Sequence, residues 1–236
     1  MPNPRSRADL VDELYTTPLR EDEAAFIYLG YSAILVRTAG EAIAFDVADL
    51  LKSQEIEALR RLDLLLFTHT HGDHYKSSEA IEIFKATGAH IVAEPLVAKD
   101  LHGNIPSDKL TSAVPEQTYN IDDFKVTTIK GIHGGPIDLY QVKKGEYSIF
   151  HGGDSGYVPL KGYKTDLAFL PTGTPSPTAS PEDAFKMAHE LRPKTAVAIH
   201  GSSGQNKEFQ EKAVKKLPET TVIIPERHSL RKISLR

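Results

Sequence analysis

The chain of 236 residues has no cysteine, no tryptophan and only 2 methionines. Without cysteine there is no disulfide, zinc ribbon, thiolate metal site or cysteine nucleophile. The same absence fits a reducing compartment. Positive charge is not in excess either. Lys and Arg number 28 against 32 Asp and Glu, a formal net charge of −4, so no global basic field invites nucleic acid or an anionic membrane. Long apolar runs are also missing. No segment approaches the roughly 20 apolar residues of a membrane span. Residues 1–20, MPNPRSRADLVDELYTTPLR, lack the apolar block of a secretory signal. The expectation is a soluble, cytoplasmic protein with no membrane partner and no dedicated nucleic-acid surface. At 40% hydrophobic and 25% charged residues the composition is globular, and the length allows a sizeable core.

Hydrophobic patterning predicts a mixed α/β chain. A short helix is expected at Ala8–Tyr15, then a hairpin of Phe26–Arg37 and Ala42–Asp46 about a Gly40 turn. A helix capped by Ser53 and running to Arg61 leads into a compact apolar strand, Leu62–Phe67. Ser77 or Ser78 caps a helix that ends at Thr87 before Gly88. Strand Ala89–Ala93 and a short helix from Pro95 follow, and Gly103–Asn120 is the least regular stretch. Strands are expected at Phe124–Ile129, Leu139–Val142, Tyr147–Phe150 and Leu167–Leu170. Ser180-Pro181-Glu182-Asp183 reads as a helix start, with a cap, a proline in the first turn and acids favoured by the dipole. Strand Thr195–Ile199, helix Lys207–Lys216 and strands near Val222–Ile224 and Leu230–Ser234 complete the pattern. Two mixed sheets flanked by helices satisfy it.

What stands out is where the 10 histidines fall. Thr68-His69-Thr70-His71-Gly72-Asp73-His74 follows the apolar run LDLLLF directly, placing three imidazoles and a carboxylate within six positions. Imidazole and carboxylate are the ligands that zinc, manganese or iron take when sulfur is absent. Crowding these groups without a cation is costly, because their polar atoms compete for few donors. Thr68 and Thr70 are candidates to orient the rings. Three further strands deliver a candidate ligand to a glycine-rich turn: His133 in Gly131–Gly135, Asp154 in His151-Gly-Gly-Asp-Ser-Gly156, and His200 before Gly201. Sites in open α/β sheets form at the carboxyl ends of strands.

The set His69–His74, His133, Asp154 and His200, in this order and over nearly the whole chain, resembles the metallo-β-lactamase superfamily. The nearest branch is that of metal-dependent hydrolases resembling ascorbate-6-phosphate lactonase-like proteins. The resemblance implies an α/β fold, an αββα sandwich of two mixed β-sheets flanked by helices, here one hydrolase domain over 1–236. It implies two divalent metal ions, zinc or manganese, with iron also compatible. His69, His71 and His133 would hold one ion; Asp73, His74 and His200 would hold the other, with Asp154 bridging. Asp73 and Asp154 would be the catalytic carboxylates, and a metal-bridging hydroxide would attack an ester-like bond. Asp46 would support the metal loop without touching metal. Two positions depart from the branch, with Gly30-Tyr31 in place of Gly-His and Asp46-Val47 in place of Asp-Pro.

The expected function is a metal-dependent hydrolase of a phosphodiester or lactone in a small anionic substrate. Lys76 and the hydroxyls of Thr172–Thr178 suit such an anion, and His151 and His228 are candidates for the pocket or its margin. Relatives of this kind often associate, so a homo-oligomer is compatible. The alternative is a metal-binding regulatory or binding protein of the same fold without turnover.

Overall fold

The structure is a computed structural model that describes residues 6–235. The chain forms two compact units, one reaching to Thr111 and taking in Glu226–Ser234, the other built from Ser112–Pro225 with Leu235. Each contains one seven-stranded sheet. The two mixed sheets with flanking helices expected from the sequence are therefore both present.

In the first unit, helix α1 (Arg7–Thr16) opens with a capping box between Ser6 and Asp9. Strands β1 (Glu23–Gly30), β2 (Ala33–Thr38) and β3 (Ala42–Phe45) form an antiparallel meander. Helix α2 (Ser53–Glu57) leads to β4 (Leu64–Phe67), and α3 (Ser77–Thr87) to β5 (His90–Ala93). Helix α4 (Pro95–Leu101), β6 (Leu110–Ser112) and the late strand β14 (Leu230–Ser234) complete the sheet, ordered β14-β1-β2-β3-β4-β5-β6. Strands β3, β4 and β5 run parallel, so their carboxyl ends share one edge. Leu10 and Leu14 of α1 and Ile83 of α3 join Leu35, Leu65 and Phe67 in one apolar cluster.

The second unit follows the same plan. Strands β7 (Thr118–Ile121), β8 (Phe124–Lys130), β9 (Asp138–Lys144) and β10 (Tyr147–His151) pair antiparallel. Strands β11 (Leu167–Pro171), β12 (Thr195–Ile199) and β13 (Thr221–Ile223) then add in parallel to β10. Helix α5 (Pro181–Leu191) buries Ala184, Met187, Ala188 and Leu191, a stripe at helical spacing, against Phe150, Leu170 and Ala198. Ser180 caps it as the sequence predicts, accepting from Asp183 N at 3.1 Å. Helix α6 (Ser203–Lys216) brings in Phe209 and Ala213.

Several boundaries differ from expectation. Phe26–Arg37 is not one strand: Gly30 (φ 133°) and Tyr31 (φ 49°) turn the chain between β1 and β2. Almost every side chain on both flanks is buried, so the apolar run shows no break where the turn falls. Helix α2 ends at Glu57, not Arg61, and its N-cap is Lys52, whose amide donates to Glu55 at 2.9 Å. Ser77 begins α3 rather than capping it, and α6 starts at Ser203, a turn earlier than expected, because Ser202 and Gln205 make a capping box. Gly103–Asn120 contains a 3₁₀ turn at Ser107–Lys109, all of β6 and the start of β7.

Candidate functional site

In the first unit, Asp46 directly follows β3 and Thr68 directly follows β4, and the parallel register sets these ends side by side. The Asp46 carboxylate, wholly buried, accepts from Thr68 N at 2.8 Å, Thr68 Oγ1 at 2.7 Å and His74 Nδ1 at 2.9 Å. A carboxylate only accepts, so His74 carries a proton on Nδ1, and the neutral ring has its lone pair on Nε2. The same reasoning extends to His69. The Thr68 hydroxyl spends its one proton on Asp46, so at 3.0 Å it accepts from His69 Nδ1, and His69 also presents Nε2 as the lone-pair nitrogen.

The loop beyond is a tight turn, with His71 O accepting from His74 N and Tyr75 N, both at 2.9 Å. It sets the rings of His69 and His71 edge to face at 4.5 Å and those of His69 and His74 tilted at 4.2 Å between centroids. His69 and His74 are buried, His71 is exposed and Asp73 lies between. Asp73 Oδ2 faces His74 Nε2 at 3.7 Å. Thr70 and Lys76 are exposed, the latter at the N-cap of α3.

The second unit repeats this logic with different partners. Asp154 follows β10 in a turn and is buried; its backbone carbonyl accepts from Ser176 Oγ at 2.5 Å and Thr178 Oγ1 at 3.2 Å. The Thr178 hydroxyl also lies 3.1 Å from His133 Nδ1; with its proton on the Asp154 carbonyl it accepts from that nitrogen. His200, left-handed at φ 46°, points Nδ1 at the carbonyl of Gly173 at 3.4 Å. Both rings therefore also present Nε2 lone pairs. Asp154 Oδ2 lies 3.5 Å from Nε2 of His133 and 3.9 Å from that of His200. His151 is buried and reversed: its Nδ1 accepts from Gly153 N at 3.2 Å. His228 lies elsewhere in the first unit, at the start of the turn before β14, where burial and then Arg7 lower its pKa.

Each unit thus contributes candidate metal-binding residues: His69, His71, Asp73 and His74 in the first, His133, Asp154 and His200 in the second. The donor chemistry fits a divalent cation. Nε2 atoms and carboxylate oxygens, all acceptors, face one another beyond hydrogen-bond distance, an arrangement that repels by itself and that a cation relieves. Nitrogen and oxygen donors without sulfur suit zinc, manganese or iron. Protein acceptors on the Nδ1 side are the usual means of fixing ring orientation and raising ligand basicity.

Sequence reasoning assigned Thr68 and Asp46 supporting parts, and they are found together. It read the Thr172–Thr178 hydroxyls only as anion contacts. Thr172 Oγ1 instead donates to Asn206 Oδ1, and Ser176 and Thr178 are engaged around Asp154 and His133. No local signal marks Gly173 O, Thr178 or Asn206, because each acts on a residue far off in the chain.

The family model described as the beta-lactamase superfamily domain matches residues 44–201. A "UPF0173 metal-dependent hydrolase" from Thermococcus onnurineus is 31% identical over 196 residues, covering 75% of this chain and 80% of that protein. Another of that name from Bacillus licheniformis is 31% identical over 204 residues, covering 75% and 84%. Among solved structures, Igni18, a metallo hydrolase from Ignicoccus hospitalis, superposes with a TM-score of 0.74 at 23% identity, over 90% of this chain and 99% of its own. That likeness shows the metallo-β-lactamase fold.

Proposed function

Because the chain belongs to the beta-lactamase superfamily and, within it, to the UPF0173 metal-dependent hydrolases, we propose that it cleaves an ester-like bond, a phosphodiester or lactone, in a small anionic substrate. Its ligands would be His69, His71, Asp73 and His74 from one unit and His133, Asp154 and His200 from the other, holding two zinc or manganese ions within one hydrolase domain. The observation that supports this reading is the shared ring state. His69, His74, His133 and His200 each commit Nδ1 to a protein acceptor and keep Nε2 for a ligand.

When bound, such ions supply Lewis acidity and acidify water toward neutral pH. The chain's own residues do the rest. Asp46 and Thr68 hold two rings in one tautomer, and Gly173 O and Thr178 hold two more. Asp154 brings its carboxylate between two imidazoles, and Asp73, partly exposed, would hold metal and move a proton at its carboxylate.

Elemental analysis of protein purified without chelator or histidine tag tests this. About two divalent ions per chain, with metal-dependent turnover of a phosphodiester or lactone, is the expected result. Full metal content without turnover across such a panel would instead identify a metal-binding protein of this fold that does not catalyse.

A further inference from the structure

The first unit holds a cation that no carboxylate among the described residues neutralises. Arg227 precedes β14, is exposed, and lays its guanidinium over the Tyr31 ring, 5.2 Å from Cζ to the centroid. Beneath it is Gly30, where an added Cβ would meet Arg227 Cζ and Nε at 3.0 Å. Glycine gives the guanidinium room to lie this close, and φ +133° at the same position disfavours any other residue. Among the described residues its guanidinium has no hydrogen-bonding or ion-pair partner. Nearby Arg7, by contrast, is paired with Glu55 at 2.9 Å. A guanidinium stacked on a ring keeps its fork of N–H donors in the plane, ready for a carboxylate or phosphate, and loses little freedom on binding one.

Strand register says where this cation stands. Strand β1 pairs antiparallel with β14, and His228 N donates to Tyr28 O at 2.8 Å, so Arg227 sits at the carboxyl end of β1. Ile34 pairs with Phe45 and Phe45 with Leu66, which brings the Tyr31 turn, Asp46 and Thr68 to the same edge of the sheet. The loop of His69–His74 curls back along that edge, where Ala48 N donates to His74 O at 3.2 Å. Two to three strand spacings separate Arg227 from this loop, about 10–14 Å.

We propose that Arg227, seated on Gly30 and Tyr31, grips an anionic group of the substrate remote from the bond being cleaved. The proposal rests on the hydrolase reading and narrows it. The substrate is a small molecule whose carboxylate or phosphate lies roughly 10 Å from the scissile ester-like bond. Arg227 is then a specificity-determining residue, and its effect falls on KM for anionic substrates.

The probes are mono-4-nitrophenyl suberate and its neutral match in length, 4-nitrophenyl octanoate, hydrolysed by the metal-loaded protein. Wild type is expected to prefer the suberate at least about tenfold in kcat/KM, mainly through KM. Arg227→Met, which keeps the contact with Tyr31, removes that preference and leaves the octanoate within about twofold; Arg227→Lys keeps part of it. Independently of turnover, calorimetry on the metal-free protein should show suberate dianion binding that weakens at least about fivefold in Arg227→Met and falls with added salt. Equal effects on both esters, or binding indifferent to Arg227, overturns the anion site while the hydrolase reading stands. Arg227-dependent binding with no hydrolysis of either ester overturns the hydrolase reading and keeps the anion site. Neither binding nor hydrolysis removes both.

Discussion

Asp46 and His74, 28 residues apart, form a fully buried pair in which Nδ1 donates to Oδ2 at 2.9 Å. The contact decides which nitrogen of His74 is left to act. Asp46→Ala deprives His74 Nδ1 and the Thr68 hydroxyl of their acceptor, leaving buried donors at a cost of about 1–3 kcal/mol each. Zinc affinity, read by competition with a chromophoric chelator, is expected to fall about 10–100-fold. Unaltered affinity in a folded variant would mean that the ring state of His74 has no bearing on metal.

Metal should also stabilise the fold. Zinc or manganese at a hundredfold excess over Kd contributes about 2.7 kcal/mol. Thermal melts of chelator-treated protein should therefore rise on adding either ion. Asp154→Ala should melt near the metal-free wild type, gain little from metal and lose metal-dependent hydrolysis. An Asp154→Ala protein with wild-type turnover would remove Asp154 from the ligand set.

Glu79 supplies a pH signature. It is buried in the first turn of α3, and its Oε1 accepts from Leu51 N at 2.8 Å, tying down the chain that follows Asp46. Burial pushes its carboxyl up to about 8, with Asp49 and Glu82 adding repulsion and Lys52 opposing them. The unfolded carboxyl ionises near its ordinary value of 4.5 while the folded one keeps its proton up to about 8. Across that window the unfolded state binds fewer protons, so this group's contribution to stability is full at acid pH and is lost as pH rises. Glu79→Gln keeps an acceptor for Leu51 and cannot ionise. Its stability relative to wild type, from urea midpoints, should grow between pH 5 and 8 by an amount on the order of a few kcal/mol. A constant difference over that range would contradict the assignment.

Gly201 follows His200 and packs against α6. A Cβ there would lie 1.8 Å from Thr172 Oγ1 and 2.6 Å from Asn206 Oδ1. Gly201→Ala must therefore separate the β11 and β12 loops from α6, at a cost of about 2–3 kcal/mol. Because Thr172 is joined to Gly173, whose carbonyl receives His200 Nδ1, metal affinity should weaken with it. Asn206→Ala beside the same contact, without steric strain, separates lost packing from lost orientation by calorimetric metal titration.

Much of this was legible in the chain. The His69–His74 segment stands directly after an apolar run, and His133, Asp154 and His200 each follow a strand, because the ends of strands are where polar side chains can leave a buried sheet. Ser180 with Pro181 announced α5 for reasons confined to one turn of helix. The break at Gly30–Tyr31 was hidden, since burial of both flanks makes two strands look like one. Ser77 and Ser78 both look like caps because hydroxyls suit that place generally, yet here Lys76 takes it with no side-chain hydrogen bond.

The sequence by itself determined the donor types, their order along the chain and the strand that delivers each. Only the tertiary structure decided which imidazole nitrogen carries a proton. That choice rests on His74 with Asp46, His133 with Thr178 and His200 with Gly173, contacts between residues 28, 45 and 27 positions apart. Hydrogen bonds of such separation exist only after the sheets have formed, so no local pattern encodes them.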